Sequence, residues 1–356
     1  MPTKKRDYHM LREIEEQPAA IDNLIKKYVE KNQVEMKEFR EFKKKLRNIR
    51  RFSFWGIGSS FHAAMYADYL FEDLCSVPCE CERADELIIR KDVLEKDTAV
   101  VVISQSGETS DLIEAVKKAK MQKVLTIGII NSKDSSLGSL LDVALNIEAG
   151  EEKALAATKA FSSQLFTLFL LAVYYNQFRS RCNEDLLAVA KELPRKISRI
   201  IKQKKEIQEI AKKYKGLNHL TVLGRHWHYP IAEEVALKCK ETAYLDAEGM
   251  ATETFRHGPA AVIDENFVSL IFLPKNKNYD ENVVALEETI RAKGKTIAVA
   301  NEETKKVKDQ IVIPKIDSVL QPLLSVVAGQ YFAYFIALER GLDIDNPRNI
   351  FKFIKK

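Results

Sequence analysis

The chain has 356 residues, of which 46% are hydrophobic and 30% are charged, and its formal net charge is only +5. This length and apolar content predict one large domain or two of ordinary size. Charges of both signs are interspersed, whereas proteins that bind polyanions usually carry a larger, clustered positive excess, so no nucleic-acid partner is expected.

The chain also lacks the signals of secretion and membrane insertion. The basic start MPTKKR is followed by polar, acidic residues rather than by the apolar core of a signal peptide. The longest apolar run, 161–175, is shorter than the about 20 residues that cross a bilayer and contains Gln164 and Thr167, so it predicts a buried helix. Five cysteines, an odd number, favour reduced thiols and a cytoplasmic protein.

The first fifty residues predict helices. Apolar residues recur at helical spacing over 10–28, where Pro18 is expected to break the helix near its middle, and again over 39–49. The basic run KKKLRNIRR lies on the polar side of the second of these helices. We interpret it as a solvated face, because glutamates lie close by and no aromatic residues alternate with the charges.

A different pattern begins at Arg51. RFSFWGIGSS predicts a strand followed by a tight turn, and the β-branched run 98–103 predicts a strand buried on both faces. A helix is predicted over 110–120 and further strands over 124–130 and 143–147. This alternation predicts an α/β fold with a doubly wound parallel sheet.

The pattern then recurs. LTVLG echoes FSFWG, DENFVSLIFLP echoes EKDTAVVVISQ, and KTIAVAN echoes VLTIGIIN, at an offset of about 170 residues, which indicates an internal duplication. A charged helix over 195–215, with isoleucines on its buried side, joins the copies. The predicted organisation is an N-terminal helical segment (1–50), a first subdomain (51–194), a connecting helix (195–216), a second subdomain (217–344) and a C-terminal tail (345–356).

The loop SQSGET follows the buried strand of the first copy, at the carboxyl end of a parallel strand, where open α/β sheets bind ligands. The next helix begins there and offers unpaired N–H groups, to which Ser104, Gln105, Ser106 and Thr109 add donors. One hydroxyl would suffice to cap the helix, so we predict a phosphate site without a cation. Ser60, in the turn after the first strand, is expected to join the same pocket.

The second copy carries residues suited to acid–base chemistry. Lys238 and Glu241 lie three apart on a predicted helix and share a face, and from this spacing alone a surface ion pair is the preferred interpretation. His257 lies in the turn RHGPAAV. A carboxylate and an imidazole beside a phosphate loop suit proton transfer between adjacent sugar carbons and opening of a sugar ring, which points to aldose–ketose isomerisation.

Several segments together resemble a known family. SQSGET, EEVALKCKE, FRHGP and the ending DIDNPRNIFK resemble the sugar isomerase (SIS) domains of glucosamine-6-phosphate synthase, the glutamine–fructose-6-phosphate aminotransferase. LREIEEQPAAI resembles the start of that isomerase half. The resemblance extends from near residue 10 to the C-terminus and implies two tandem SIS subdomains.

The resemblance also implies roles. The phosphate of fructose 6-phosphate would be held by the loop residues and Ser60. Glu241 would move the proton between C1 and C2, assisted by Lys238, and His257 would open the ring. In the family this histidine often comes from a neighbouring subunit, which implies a homodimer with a shared active site. Lys352 would form the imine with the ketose, and its attack as a neutral amine requires a lowered pKa. Neither a metal nor another cofactor is implied.

The sequence departs from the synthase pattern. No room for a glutaminase domain is expected, so ammonia would be free or come from a separate glutaminase subunit. Arg256 before the histidine resembles the glutaminase-free sugar-phosphate deaminases of the same fold. Ala157 replaces a serine that often contacts the sugar, and Phe351 is bulky beside the synthase's ammonia path. These departures favour a glucosamine-6-phosphate deaminase.

Three alternatives stay open. The first is synthesis of glucosamine 6-phosphate with free ammonia or with a separate glutaminase subunit. The second is deglycation of another 6-phosphorylated amino sugar, since a phosphate loop does not recognise the substituent on C2. The third is a sugar-phosphate sensor, although the chain carries two copies of the α/β unit and only about 50 residues before them, fewer than a DNA-binding domain needs.

Overall fold

The computed structural model describes residues 8–350 apart from 90, 92, 180 and 182, so the predicted Lys352 and Phe351 lie outside the described residues. The chain divides into two compact units. The first unit comprises residues 19–152 and 159–191. The second unit comprises the residues up to Pro18, 153–158 and 192–350.

Helices and strands alternate along most of the chain. The α-helices are α1 (His9–Glu15), α2 (Gln17–Tyr28), α3 (Lys43–Arg47), α4 (Ser59–Cys75), α5 (Ala84–Leu87), α6 (Ser110–Met121), α7 (Ser136–Leu140), α8 (Lys159–Gln177), α9 (Glu184–Ala190), α10 (Leu193–Lys202), α11 (Lys204–Lys213), α12 (Tyr229–Ala243), α13 (Thr252–Arg256), α14 (Tyr279–Arg291) and α15 (Gln321–Glu339). The strands are β1 (Val29–Glu30), β2 (Gln33–Val34), β3 (Arg51–Gly56), β4 (Cys79–Arg83), β5 (Thr98–Ser104), β6 (Leu125–Ile130), β7 (Val143–Asn146), β8 (His219–Gly224), β9 (Asp246–Ala251), β10 (Val268–Leu273), β11 (Lys295–Ala300) and β12 (Asp309–Val312).

Each unit contains one five-stranded parallel sheet. The first sheet has the order β4-β3-β5-β6-β7, and the second has the order β9-β8-β10-β11-β12. Every strand pair in both sheets is parallel. Because the second order repeats the first strand by strand, the structure confirms the predicted duplication and the α/β fold.

The core of each unit follows from its apolar runs. All residues of β5 and β10 are buried, as continuous apolar strands between two helical layers should be. The apolar run 161–175 lies in α8, which is buried as predicted. Helix α15 is long and apolar enough to cross a membrane by composition, but 94% of its apolar stretch is buried, as in the core helix of a globular unit.

The helical segments differ in detail from the prediction. The break near Pro18 is confirmed, since α1 ends at Glu15 and α2 begins at Gln17. The single helix predicted over 195–215 is wrong, because α10 ends at Lys202 and α11 begins at Lys204. Gln203 between them is neither glycine nor proline, so no residue in the sequence marks this break.

The described cysteines Cys75, Cys79, Cys81 and Cys239 are all free. Burial raises the pKa of the Cys75 and Cys81 thiols to about 12. At neutral pH these thiols are protonated and pack as small apolar groups.

Candidate active site

The strand order of the first sheet creates a crevice beside β3. This strand pairs with β4 on one side and with β5 on the other. The chain leaves β3 through α4 towards β4, whereas it leaves β5 through α6 towards β6. The turns after β3 and β5 therefore diverge, and ligands of open α/β sheets bind at such a switch point. Ser60 lies at the start of α4, just after the first of these turns, and the segment from Ser104, which ends β5, to Thr109 forms the second.

Gly107 fixes the shape of the SQSGET loop. Its φ is +69°, a left-handed conformation that favours glycine. A Cβ at this position would overlap the side chain of Ser135, and the Gly107 carbonyl accepts a 3.0 Å hydrogen bond from the N–H of Leu137. The start of α7 and the turn before it therefore pack against the loop.

The serine oxygens of the loop already accept hydrogen bonds. Ser104 Oγ accepts the N–H of Gly107 at 3.0 Å, and Ser106 Oγ accepts the N–H of Glu108 at 3.1 Å. An oxygen that accepts in this way keeps its own hydrogen available for donation. The loop thus presents hydroxyl donors to an incoming acceptor such as a phosphate oxygen.

The simpler interpretation, that Thr109 merely caps α6, does not fit the structure. Thr109 is the N-cap residue, but its side chain makes no capping hydrogen bond. Its hydroxyl instead lies 3.5 Å from Ser104 Oγ. Gln105 and Ser106 are half-buried next to it. The N-terminus of α6 and the hydroxyls around it therefore form one polar cup.

Glu108 is the only charged residue of the loop, and its charge is held by donors. The hydroxyl and the N–H of Ser136 bind its two carboxylate oxygens at 2.6 Å and 2.8 Å. These hydrogen bonds lower the pKa of Glu108. The sequence SQSGET contains no lysine or arginine, so an anion here would depend on neutral donors and on the helix N-terminus.

A residue that the sequence analysis did not assign, Gln164 on α8, supports Ser60. Its Nε2 donates to Ser60 Oγ at 3.1 Å, and its side chain is buried. The signal was present in the sequence, because a glutamine inside an apolar run must find a hydrogen-bond partner when the run is buried.

The residues of the second unit that were predicted to serve acid–base chemistry include two that belong to an ion cluster on α12. Lys238 Nζ donates to Glu241 Oε2 at 2.5 Å, so the predicted pair is confirmed. The same ammonium lies 3.4 Å from Glu234 Oε1. The side chains of Lys238 and Glu234 are fully buried, and that of Glu241 is 18% exposed. A surface ion pair, the interpretation preferred from the spacing alone, is therefore wrong.

The charges of this cluster stabilise one another. Burial alone would lower the pKa of Lys238, but Glu234 and Glu241 raise it by more, and the net shift is upward. Lys238 therefore stays an ammonium throughout the neutral range. It can hold Glu241 in place and stabilise negative charge near it, but it cannot act as a base.

His257 lies apart from this cluster, at the end of α13. Its side chain is 77% exposed, and its Nε2 lies 3.6 Å from Glu253 Oε1. Burial would raise the pKa of Glu253, but hydrogen bonds from Arg256 and Arg225 lower it, so the carboxylate beside the imidazole is ionised. Gly258, with a φ of +139°, makes the following turn possible.

The C-terminal segment reaches the helix that carries Glu241. Arg348 stacks over the ring of Tyr244, with 4.3 Å between its guanidinium carbon and the ring centroid, and its N–H donates to the Tyr244 hydroxyl at 2.9 Å. Tyr244 ends α12. Lys352 lies beyond the described residues.

A cavity of about 940 Å³ lies at the end of the second sheet where its strands begin, opposite their carboxyl ends. It is lined by His219, Val268 and Lys295, which begin β8, β10 and β11. The predicted site residues do not line it. Because ligands of open α/β sheets bind at the carboxyl ends of the strands, we do not assign the substrate to this cavity.

No metal centre is evident where the chain is described. Across residues 8–350, with their four gaps left aside, no group of three histidine, cysteine, aspartate or glutamate side chains could hold a metal ion.

The fold and this site define a class of protein. The model of the SIS domain matches residues 45–174 and 214–340, one segment in each copy. The chain therefore belongs to the SIS domain family.

Curated relatives resemble the chain along nearly its whole length. It is 33% identical to the glutamine–fructose-6-phosphate aminotransferase (isomerizing) of Chlorobaculum tepidum, with 98% of this chain and 58% of that protein covered. It is 36% identical to the protein of the same name from Mycolicibacterium smegmatis, with 98% and 57% covered. The chain thus spans less than two thirds of the length of these relatives.

Solved structures agree with this assignment. The C-terminal domain of glucosamine-fructose-6-phosphate aminotransferase from Francisella tularensis superposes with a TM-score of 0.91 at 29% identity, covering 96% of this chain and 99% of that domain. Glucosamine-6-phosphate deaminase from Thermotoga maritima gives a TM-score of 0.75 at 24% identity, covering 98% and 99%. At 24% identity, the similarity to the Thermotoga maritima protein shows a shared fold and nothing more.

Proposed function

We propose that the protein interconverts fructose 6-phosphate and glucosamine 6-phosphate and acts as a glucosamine-6-phosphate deaminase. The observation that carries the proposal is the cup around Ser104 and Ser106, whose oxygens accept loop N–H groups and leave their hydrogens for donation. A phosphate group offers only acceptors once ionised, so it matches this set of donors.

Glu241 is the proposed base. It would remove the proton from C2 of the open-chain amino sugar and return it to C1, which gives the ketose imine that water then hydrolyses to fructose 6-phosphate and ammonia. Lys238 would position the carboxylate, consistent with their 2.5 Å hydrogen bond. A single carboxylate can serve both carbons because they are adjacent.

His257 is the proposed ring-opening acid, and Lys352 the proposed imine-forming lysine of the reverse direction. The exposure of His257 supports a role in which it reaches the site of another copy, as in a homodimer with shared active sites.

One observation supports the deaminating direction. Phe255 and Arg256 precede His257 as in the deaminases that this segment resembles.

A second candidate is synthesis from fructose 6-phosphate, with free ammonia or a separate glutaminase subunit. The curated relatives named aminotransferase favour it, since they are 33% and 36% identical to this chain. Either direction would use the same phosphate cup and the same carboxylate.

The test is to incubate the purified protein with glucosamine 6-phosphate and to measure ammonia and fructose 6-phosphate. We expect both products in equal amounts, and no turnover of glucosamine, which lacks the phosphate. Product formation only from fructose 6-phosphate, glutamine and an added glutaminase would instead support synthesis. Absence of turnover in either direction would refute the proposal.

The shared site has its own test. Glu241→Gln and His257→Asn homodimers should each be inactive, whereas mixed and reassociated subunits should regain roughly a quarter of wild-type activity, because half of the dimers then carry one intact site. Inactive mixtures whose exchange is verified by differently tagged subunits would show that each subunit supplies both residues to its own site.

A further inference from the structure

Helix α8 is buried in the core of the first unit, yet it contains a glutamine that contacts Ser60 in the first turn of α4. Gln164 is 2% exposed. Its Nε2 donates to Ser60 Oγ at 3.1 Å, while its Oε1 is buried without a hydrogen-bond partner. A buried unpaired acceptor is costly, so this side chain is held for a reason other than packing.

The direction of this hydrogen bond decides what Ser60 can do. Because Ser60 Oγ accepts from the amide, its own hydrogen stays free for a phosphate oxygen. In the reversed orientation Gln164 Oε1 would accept from the Ser60 hydroxyl. The hydroxyl would then have no hydrogen left for a ligand, and the amide N–H₂ would be buried without a partner.

Ser60, Ser104 and Ser106 then share one pattern. Each hydroxyl oxygen accepts from a nitrogen of the protein, and these hydrogen bonds do not use the hydroxyl hydrogens. For the two loop serines the nitrogen belongs to the backbone. For Ser60 it belongs to a side chain from a distant helix, so this donor can be removed by mutation without touching the loop.

We propose that Gln164 is a positioning residue that sets the Ser60 hydroxyl as a donor to the substrate phosphate and thereby helps to select phosphorylated over unphosphorylated sugars. The inference rests on the proposed function, since it needs the phosphate in the cup. Gln164 acts through Ser60 and is not itself a contact of the reacting carbons.

The experiment is a double-mutant cycle on phosphate affinity. Inorganic phosphate is titrated calorimetrically into the full chain as wild type, Ser60→Ala, Gln164→Met and the double variant. Methionine keeps the volume of the side chain and removes its donor. We expect Ser60→Ala to weaken binding about 10-fold, Gln164→Met about 5-fold, and the double variant to bind no more weakly than Ser60→Ala alone.

Steady-state kinetics supply a readout that a merely structural role would not move. Gln164→Met should raise KM for glucosamine 6-phosphate about 5-fold and leave kcat unchanged, because the phosphate is held equally in the ground state and the transition state. Ser163→Ala, which removes a buried hydroxyl without a partner from the same helix, is the matched control and should change neither value.

The outcomes separate this inference from the proposed function. If Ser60→Ala weakens phosphate binding but Gln164→Met does not, or if the two effects multiply fully in the double variant, Gln164 has no positioning role while the phosphate cup stands. If inorganic phosphate does not bind the wild type, both ideas are overturned.

Discussion

The two copies share a fold and differ where their strands end. In both, a glycine closes the strand, and a Cβ on Gly56 or Gly224 would overlap the backbone of Ser60 or His228 four residues later. In the first copy that later residue presents a hydroxyl. In the second it is a buried imidazole whose Nε2 lies 3.0 Å from Ser325 Oγ. The same turn is open to a ligand in one copy and filled by the protein in the other.

The loops after β5 and β10 differ in the groups that accept from their N–H groups. In the first copy these acceptors are serine hydroxyls. In the second copy they are asparagine amides: Asn276 Oδ1 accepts from Asn278, and Asn301 Oδ1 accepts from Lys275. Asp280 and Glu281 already supply negative charge to the first turn of α14. This loop carries lysines and asparagines and lacks the serine and threonine hydroxyls that the loop of the first copy presents.

From this comparison we propose that the two copies have different roles. The first copy offers neutral hydroxyl and amide donors, and the second offers ionised groups on α12. Substitutions in the first copy should therefore change binding, and substitutions in the second should change catalysis or stability.

The largest effect is expected at the proposed base. Glu241→Gln should lower kcat for glucosamine 6-phosphate by roughly 10²–10⁴-fold, because the amide cannot accept the C2 proton. Its affinity for inorganic phosphate should equal that of the wild type. Glu233→Gln on the same helix is the control and should retain activity. A kcat within threefold of wild type would remove Glu241 from the mechanism.

Lys238 tests the electrostatics of the second copy. Lys238→Met removes the cation beside the buried Glu234, and the free energy of unfolding should fall by roughly 3–5 kcal/mol. Urea denaturation at pH 7 measures this. Glu234→Leu combined with Lys238→Met should restore most of the stability, since no buried charge remains. An undiminished stability of the single variant would contradict the buried cluster.

Gly107 tests the shape of the open loop. Gly107→Ala combines a left-handed φ with overlap on Ser135, whereas Gly150→Ala has a similar φ of +66° and open space around its Cβ. Gly150→Ala should cost about 1–2 kcal/mol, and Gly107→Ala about 1–3 kcal/mol more, with a loss of phosphate affinity. Equal unfolding free energies for both variants would show that the Ser135 contact does not shape the loop.

His228 tests the filled turn through pH. Burial, and to a lesser extent His226, lower its pKa from an ordinary value of 6.5 to about 3. Between pH 6.5 and pH 3 the unfolded chain binds a proton at this histidine that the folded chain does not. As the pH is lowered through this range, the free energy of unfolding therefore decreases by up to about 1.4 kcal/mol per pH unit. His228→Gln should reduce this slope between pH 6 and 4. Identical slopes for the wild type and the variant would mean that His228 titrates normally.

The smallest effect compares the two loops directly. Ser106→Ala should raise KM for glucosamine 6-phosphate about 10-fold at constant kcat, because one hydroxyl donor to a charged group is lost. Asn276→Ala in the second copy should leave KM unchanged. A rise in KM for the asparagine variant would mean that the second loop also contacts the substrate.

The sequence predicted what depends on local pattern. Continuous β-branched strands, the repeat and the polar loop follow from residue spacing, and β5, β10 and the duplicated strand order confirm them. The burial of Glu234 could not be predicted, because EEVALK reads equally well as an exposed helix until its packing is known. The break at Gln203 carries no sequence signal. The burial of His228 against Ser325 could not be predicted either, because a histidine that follows a strand can be exposed or buried.

The absence of lysine and arginine from SQSGET has a consequence for how the cup would meet its ligand. Coulomb attraction between formal charges weakens as electrolyte is added, whereas short hydrogen bonds from fixed hydroxyls weaken far less. The affinity of such a cup for its ligand should therefore be nearly the same at high salt concentration as in dilute buffer. It would also exert little pull at a distance, so capture would depend on collision rather than on steering.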